Sequence, residues 1–388
     1  MKINEKTLEK DIRELEHILA RNYSKKDYVF DYLTASFYDE ILFEIGGNPT
    51  NVSDRILSTD VINKINERMD KALHSICDFY NINADMMYKG MVNFEKIITS
   101  DDILEQVPTH QLNNISFNTF KDLILSYYAT YGNRIYNIVK KYFDEERIYL
   151  GSSMDSSACG VFFGAGASQK GYITIERKKK LSLYTAGSLV HELGHAIDFE
   201  TFVFPQRKKI ASFDDLLIEL PSYHFEVGFL DYLIKNNVHP KDAHALMVNL
   251  YQEFMTFATI FGVVKGLNNF YIEEGGFITN EKGYFLDMNG DEILPSEEGD
   301  ECKKKLDATE MIKYSLGMYL AFQTNELARN NREAYLKNLF NCTTSRRECS
   351  LEESLNILGI SKDQFENCSL LEDRIKDELV YTRKKWKF

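Results

Sequence analysis

The chain has 388 residues, 44% hydrophobic and 13% aromatic, enough to bury a large core in one large domain or about two to three ordinary ones. Its 59 acidic and 46 basic residues leave a net charge of −13, which sets nucleic acid and anionic membrane surfaces against it as main partners. The opening stretch from Met1 to Glu16 alternates charges with single apolar residues where a secretory signal needs a continuous apolar core, and the longest nearly apolar run, Phe254 to Val264, is far below the ~20 residues of a bilayer span. The expected mature chain therefore starts at Met1, with no span.

From Lys2 to about Ile98 apolar residues recur at helical steps, for example Leu8, Ile12, Leu15, Ile18 and Leu19, and predict a helical bundle. Polarity rises between Ser100 and Ser116, and Pro108 interrupts, so the expected division is an N-terminal helical lobe over 1–115 and a second domain over 116–388. Phe117 to Phe143 reads as one long amphipathic helix. Two β-type runs follow, Gly160 to Phe163 and Gly171 to Ile175, on either side of a Gly-rich tetrapeptide, and predict a small sheet. Three helical segments come next, roughly Leu183 to Phe202, Phe213 to Lys235 and Lys241 to Lys265. Phe285 to Ile293 reads as a hairpin closed by Asn289-Gly290, and from Ala308 onward the pattern is helical again. Six cysteines without short paired spacing fit neither a zinc ribbon nor a disulfide framework, and point to a reduced, cytoplasmic setting.

The chemistry concentrates in His191-Glu192-Leu193-Gly194-His195, a His-Glu-x-x-His motif. Its four-residue step puts both imidazoles on one side of a helix, and here Leu189, Val190, Leu193, Ala196 and Ile197 gather on the face opposite His191, His195 and Asp198. The histidines are thus expected to face a cleft. A catalytic zinc takes three protein ligands and leaves a position open for water. Asp198 lies about 10.5 Å of helix rise beyond His191, too far to share one ion, and is placed behind the ligands instead. The extended motif that recruits a third histidine is excluded, because Asp198 and Thr201 stand where it needs Gly and His. A carboxylate from a second helix remains, and Phe213 to Lys235 offers Glu219 and Glu226, seven apart on one face with Ser222 beside them. Glu219 is taken as the ligand.

At these residues the chain resembles a known family. Glu219-Leu220-Pro221-Ser222-Tyr223-His224-Phe225-Glu226 is similar to the Glu-x-x-Ser-x-x-x-Glu segment that follows His-Glu-x-Gly-His in the thimet oligopeptidase and oligoendopeptidase F family of zinc peptidases. The stretches Tyr142 to Tyr149, Ser157-Ala158-Cys159 and Tyr314-Ser315-Leu316-Gly317 resemble further parts of it, so the likeness covers about 100–325. It implies Glu219 as zinc ligand and a tyrosine near Tyr314 or Tyr319 as donor to the oxyanion. The chain departs from the family in its reduced N-terminal lobe and in having no histidine after His244, where family members carry a substrate-binding one.

The expectation is therefore a mainly α, zincin-like multihelical metallopeptidase with a small β-sheet beside the active-site helix. One Zn2+ per chain is held by His191, His195 and Glu219, and Glu192 is the general base, in a cytoplasmic enzyme that cuts short oligopeptides. Asp198 and Glu226 support the ligands, Tyr314 or Tyr319 assists the oxyanion, His224 touches the metal site or substrate, and Gly171, Tyr172 and Ile173 pair with extended peptide as an edge strand. The rival from another class is a zinc-holding, catalytically idle peptide-binding protein.

Overall fold

The computed structural model describes chiefly residues 89–98, 112–151, 160–165, 170–176, 181–203, 217–266, 308–345 and 350–378, with four short strands between 270 and 293. Most of the expected N-terminal bundle lies outside the described residues. Its last part, 89–98, is helical. Phe94 there packs on Phe254 (ring centroids 4.7 Å) and on Tyr319 and Phe322 (both 5.4 Å), and joins the main core.

Two helices come first, α1 (Phe117–Ala129) and α2 (Asn133–Asp144). They replace the single helix expected over Phe117 to Phe143. The break falls at Gly132, whose φ of +85° lies in the left-handed region that a side chain disfavours. Strands β1 (Ile148–Gly151), β2 (Gly160–Ala165) and β3 (Lys170–Glu176) form a sheet of order β1-β3-β2, in which β3 runs parallel to β1 and antiparallel to β2. Beyond them stand α3 (Leu183–Asp198), which widens into a π turn at Phe199–Val203, α4 (Glu219–Lys235) and α5 (Pro240–Gly266). A second, antiparallel sheet follows: β4 (Phe270–Ile272), β5 (Ile278–Asn280), β6 (Phe285–Leu286) and β7 (Glu292–Ile293) in sequential order. The expected hairpin appears in it as the β6–β7 pair, with Phe285 opposite Ile293. Helices α6 (Ala308–Ala328), α7 (Arg332–Ser345), α8 (Leu351–Leu358) and α9 (Lys362–Asn367) complete the described chain. The fold is mainly α with small sheets, and no helix among the described residues is long and apolar enough to cross a membrane.

Helix α4 is the hub, packing most extensively on α3 and α6. Two glycines let the backbones meet. A Cβ on Gly194 of α3 would stand 2.5 Å from the Ser222 Cα and 3.0 Å from the Pro221 carbonyl oxygen, and one on Gly317 of α6 would stand 2.6 Å from the Glu219 Cβ. Backbone lies on the other side of both contacts, so no rotamer change could relieve them. From α1, the Tyr128 hydroxyl donates to the Val190 carbonyl (2.9 Å) and the Tyr127 hydroxyl to the Phe225 carbonyl (2.7 Å), bracing α3 and α4 from outside. Ser116 starts α1 by accepting from the Thr119 backbone N–H.

The crossing yields a paired prediction within one helix. Gly194→Ala should destabilise the protein by about 1–3 kcal/mol, the usual range for overpacking, read as a lower urea midpoint. Gly187→Ala, whose Cβ would meet only the Glu226 Oε1 at 3.5 Å, should be neutral or gain up to about 1 kcal/mol from helix propensity. Equal effects at the two positions would refute the close crossing.

Candidate metal centre

Helix α3 is buried on nearly every side, with Tyr184, Ser188, His191 and His195 as its partly open positions. The two histidine side chains are 14% and 17% exposed, and the rings stand 5.2 Å apart at 76°. The four-residue step thus puts both imidazoles on one side, as the motif demands. Glu219 opens α4. Pro221 sits in that helix's first turn, where its missing N–H costs nothing, and the carboxylate lies at the positive end of the helix dipole. The Glu219 Oε2 is 3.2 Å from the His191 Nε2 and 3.3 Å from the His195 Nε2. The Ser222 hydroxyl, which donates to the Glu219 carbonyl (2.8 Å), lies 3.1 Å from the same Oε2 and fixes the rotamer.

These three side chains are the cluster among the described residues whose donor atoms converge, all within 4.8 Å of one another. Two imidazole nitrogens and a carboxylate oxygen are the donor set of a catalytic zinc, and bond lengths of about 2.0–2.2 Å imply ligand separations of about 3.3–3.6 Å around a tetrahedron. The Nε2 to Oε2 distances, 3.2 and 3.3 Å, lie within about 0.1 Å of the short end of that range, so the residues fit the ion. The outer nitrogen of His191, Nδ1, meets the Glu226 Oε2 at 3.0 Å. An ionised carboxylate can only accept there, so neutral His191 keeps its lone pair on Nε2, toward Glu219.

Electrostatics follow from this crowding. Burial alone would raise the Glu219 carboxyl, but the two imidazoles outweigh it and hold the group well below the ordinary carboxylate range. Burial alone would lower His191, yet its hydrogen bonds to Glu219 and Glu226 hold it well above its usual value. Glu192, 8% exposed, is raised by burial against the pull of both histidines. Among the described residues no hydrogen bond or ion pair occupies its carboxylate. A carboxylate with raised proton affinity and no partner, beside the ligand set, is equipped to accept a proton.

The other expected residues divide. Glu226 meets His191 as described, and Asp198 is buried at the end of α3, 4% exposed, apart from the converging donors. Tyr314 is close: its ring is 6.4 Å from that of Tyr223, which stands edge-on to His191 at 4.7 Å. Tyr319 is elsewhere. It is fully buried, its hydroxyl donates to the Phe365 carbonyl and lies 3.0 Å from the Cys368 Sγ, and burial pushes its pKa well up. Five residues along α6 turn it into the core, away from the side of the helix on which Tyr314 meets Tyr223 and Phe257.

His224 is also displaced from substrate. Its Nδ1 pairs with the Thr324 hydroxyl (2.8 Å), its carbonyl accepts from the Asn325 amide (2.7 Å), and its ring stacks on Tyr335, so it joins α4 to α6 and α7 in the core. The edge-strand role for Gly171, Tyr172 and Ile173 fails as well. They lie in β3, the central strand, whose two sides are taken by β1 and β2. β1, which the sequence pattern did not reveal, supplies the extra pairing, and Tyr172 is buried beneath the Arg147 guanidinium, 5.1 Å from its ring centroid. Tyr223, and Glu253 on α5, line the site without having been singled out in the sequence. Burial and Glu226 push the Glu253 carboxyl up to about 7, although the residue as a whole is exposed.

Fold and site together define a multihelical protein with a two-histidine, one-glutamate cluster at a helix crossing. No family model and no curated protein matches the sequence. Solved structures do. A provisionally assigned oligoendopeptidase F aligns at a TM-score of 0.51 and 12% identity, over 98% of this chain and 75% of that one. PZ peptidase A with an inhibitor aligns at 0.50 and 10%, over 97% of this chain and 76% of that one. A provisionally assigned oligoendopeptidase F from Bacillus anthracis str. Ames aligns at 0.48 and 14%, over 90% of this chain, which spans only 62% of that chain's length. The chain thus has an oligoendopeptidase F-like fold, the likeness extending to architecture alone.

The buried His224 gives a pH prediction. Burial, with the charge of Arg332, lowers it from 6.5 to about 3. The unfolded chain therefore takes up this proton first, and the stability contributed above pH 6.5 is lost as pH falls toward 3. Between about pH 7 and pH 5, wild type should lose about 2 kcal/mol more unfolding free energy than His224→Gln. Identical pH dependence in urea melts would contradict a neutral, buried His224.

Proposed function

We propose that this chain is a zinc metallopeptidase that hydrolyses peptide bonds in short oligopeptides, with His191, His195 and Glu219 as the metal ligands and Glu192 as general base. The observation that carries this reading is the convergence of the three donors beside an unpartnered, buried Glu192. The oligoendopeptidase F-like fold supports it.

A zinc ion held by these ligands supplies Lewis acidity toward the scissile carbonyl and lowers the pKa of a water toward ~7. The rest is done by the chain. Glu192, adjacent to His191, takes a proton as water adds to the carbonyl carbon and delivers it to the amide nitrogen as the C–N bond breaks. Glu226 holds the His191 ring in the tautomer that presents Nε2, and Ser222 holds the Glu219 carboxylate. Tyr314 is taken as the donor to the developing oxyanion, a role supported by its nearness to Tyr223, whose ring stands against His191. A protein built only to hold zinc needs the ligands and Glu226 but has no use for a buried, proton-avid Glu192. The physiological setting proposed is the cytoplasm.

Two predictions test this. Purified protein should carry one zinc per chain, His191→Ala and Glu219→Ala should each empty the site, and Glu226→Gln should weaken zinc binding by about 10- to 100-fold, as measured by elemental analysis and chelator competition. Full occupancy in Glu219→Ala would move the third ligand elsewhere. Glu192→Gln should keep zinc and fold while hydrolysis of a fluorogenic peptide falls by at least about 100- to 10,000-fold. Equal activity of wild type and Glu192→Gln, both zinc-loaded, would leave a peptide-binding scaffold as the better account.

A further inference from the structure

The wall of the cleft beyond His191 is built from three helices. Tyr223 of α4 lies edge-on to His191, Tyr314 of α6 lies edge-on to Tyr223, and Phe257 of α5 stacks on Tyr314 with centroids 5.7 Å apart and planes 9° from parallel. One turn before Phe257 on the same helix stands Glu253. The residue as a whole is exposed, its carboxylate is within hydrogen-bonding reach of the Tyr223 hydroxyl and interacts with Glu226, His191 and Glu219, and among the described residues no Lys or Arg pairs with it. A row of aromatic rings ending in a carboxylate that no protein cation neutralises among the described residues is the chemistry that receives a cation, because ring faces and carboxylate both favour positive charge.

Charge balance strengthens this. Glu192, Glu219, Glu226 and Glu253 bring four carboxylates to one cleft, and a bound zinc offsets two negative charges. The chain as a whole is at −13, so long-range attraction acts in the same direction.

We propose that Glu253, oriented by the buried Tyr223 and flanked by the partly open Tyr314 and Phe257 rings, forms a cation subsite beside the scissile-bond position, and that the protein prefers peptides carrying an ammonium or guanidinium group near the cut. This rests on the peptidase reading for its consequence in catalysis, while the binding preference stands by itself. Glu253 is a specificity residue here and takes no part in proton transfer.

The test is a Lys scan. Decapeptides with Lys or norleucine at each position in turn, each with a free or acetylated N-terminus, are offered to the zinc-loaded protein at about pH 8, where Glu253 is ionised. Cleavage is read by mass spectrometry, and binding to zinc-loaded Glu192→Gln by fluorescence anisotropy. Wild type should favour Lys over norleucine at one position, or a free over an acetylated N-terminus, by about 10-fold in kcat/KM. The two arms tell a side-chain cation from a terminal one. Glu253→Gln should collapse that ratio toward one, and Glu253→Lys should favour Glu at the same position. As Glu253 is exposed, both variants should keep the wild-type melting temperature. No charge preference at any position, or one that survives Glu253→Gln, would overturn the subsite. Absence of cleavage with a Glu253-dependent binding preference would contradict the peptidase reading and leave the subsite standing, and absence of both would overturn both.

Discussion

Everything at the site depends on where the Glu219 carboxylate sits. It belongs to neither histidine's helix, and it reaches both Nε2 atoms only because α4 crosses α3 and α6 with backbones almost touching. Gly194 and Gly317 make those crossings possible, one against Ser222 and Pro221, the other against Glu219 itself. The glycine inside the His-Glu-x-x-His motif is therefore part of the geometry of the proposed metal site. A side chain there would move the third ligand by a fraction of an ångström or more, and a metal site tolerates about ±0.2 Å.

The same crossing concentrates unlike charges in a small, partly dry volume. Glu219 is held ionised by the imidazoles, His191 is held between Glu219 and Glu226, and Glu192 is kept proton-avid by burial. Three titratable groups thus acquire different proton affinities from position alone. The bracing tyrosines of α1 and the His224 contacts to α6 make the scaffold stiff on the far side, leaving the Tyr223 and Tyr314 side as the open wall.

Sequence carried the helix of the motif and the pairing of Glu219 with Glu226 plainly, since fixed spacings on one helix face translate directly into geometry. Partners brought together by tertiary packing were less legible. The pattern around Gly171 to Ile175 identifies a strand, but whether it is central or at an edge depends on β1, a short run after α2 without alternating character. Tyr314 and Tyr319 differ by five residues, and only the rotation of α6 against α4 separates a cleft residue from a core one. His224 sits two residues after Ser222 on the opposite face of α4, and its burial depends on α7 packing there. Glu253, a charged residue on a long helix, had no local signal at all, because its neighbours at the site come from two other helices.

The most direct measurement is a crystal structure of the zinc-loaded protein with anomalous data collected at the zinc edge. The account predicts one strong peak per chain, about 2.0–2.2 Å from the Nε2 atoms of His191 and His195 and from a Glu219 carboxylate oxygen, with Glu192 near it but outside bonding distance. No peak between these residues, or one that leaves Glu219 uncoordinated, would contradict it.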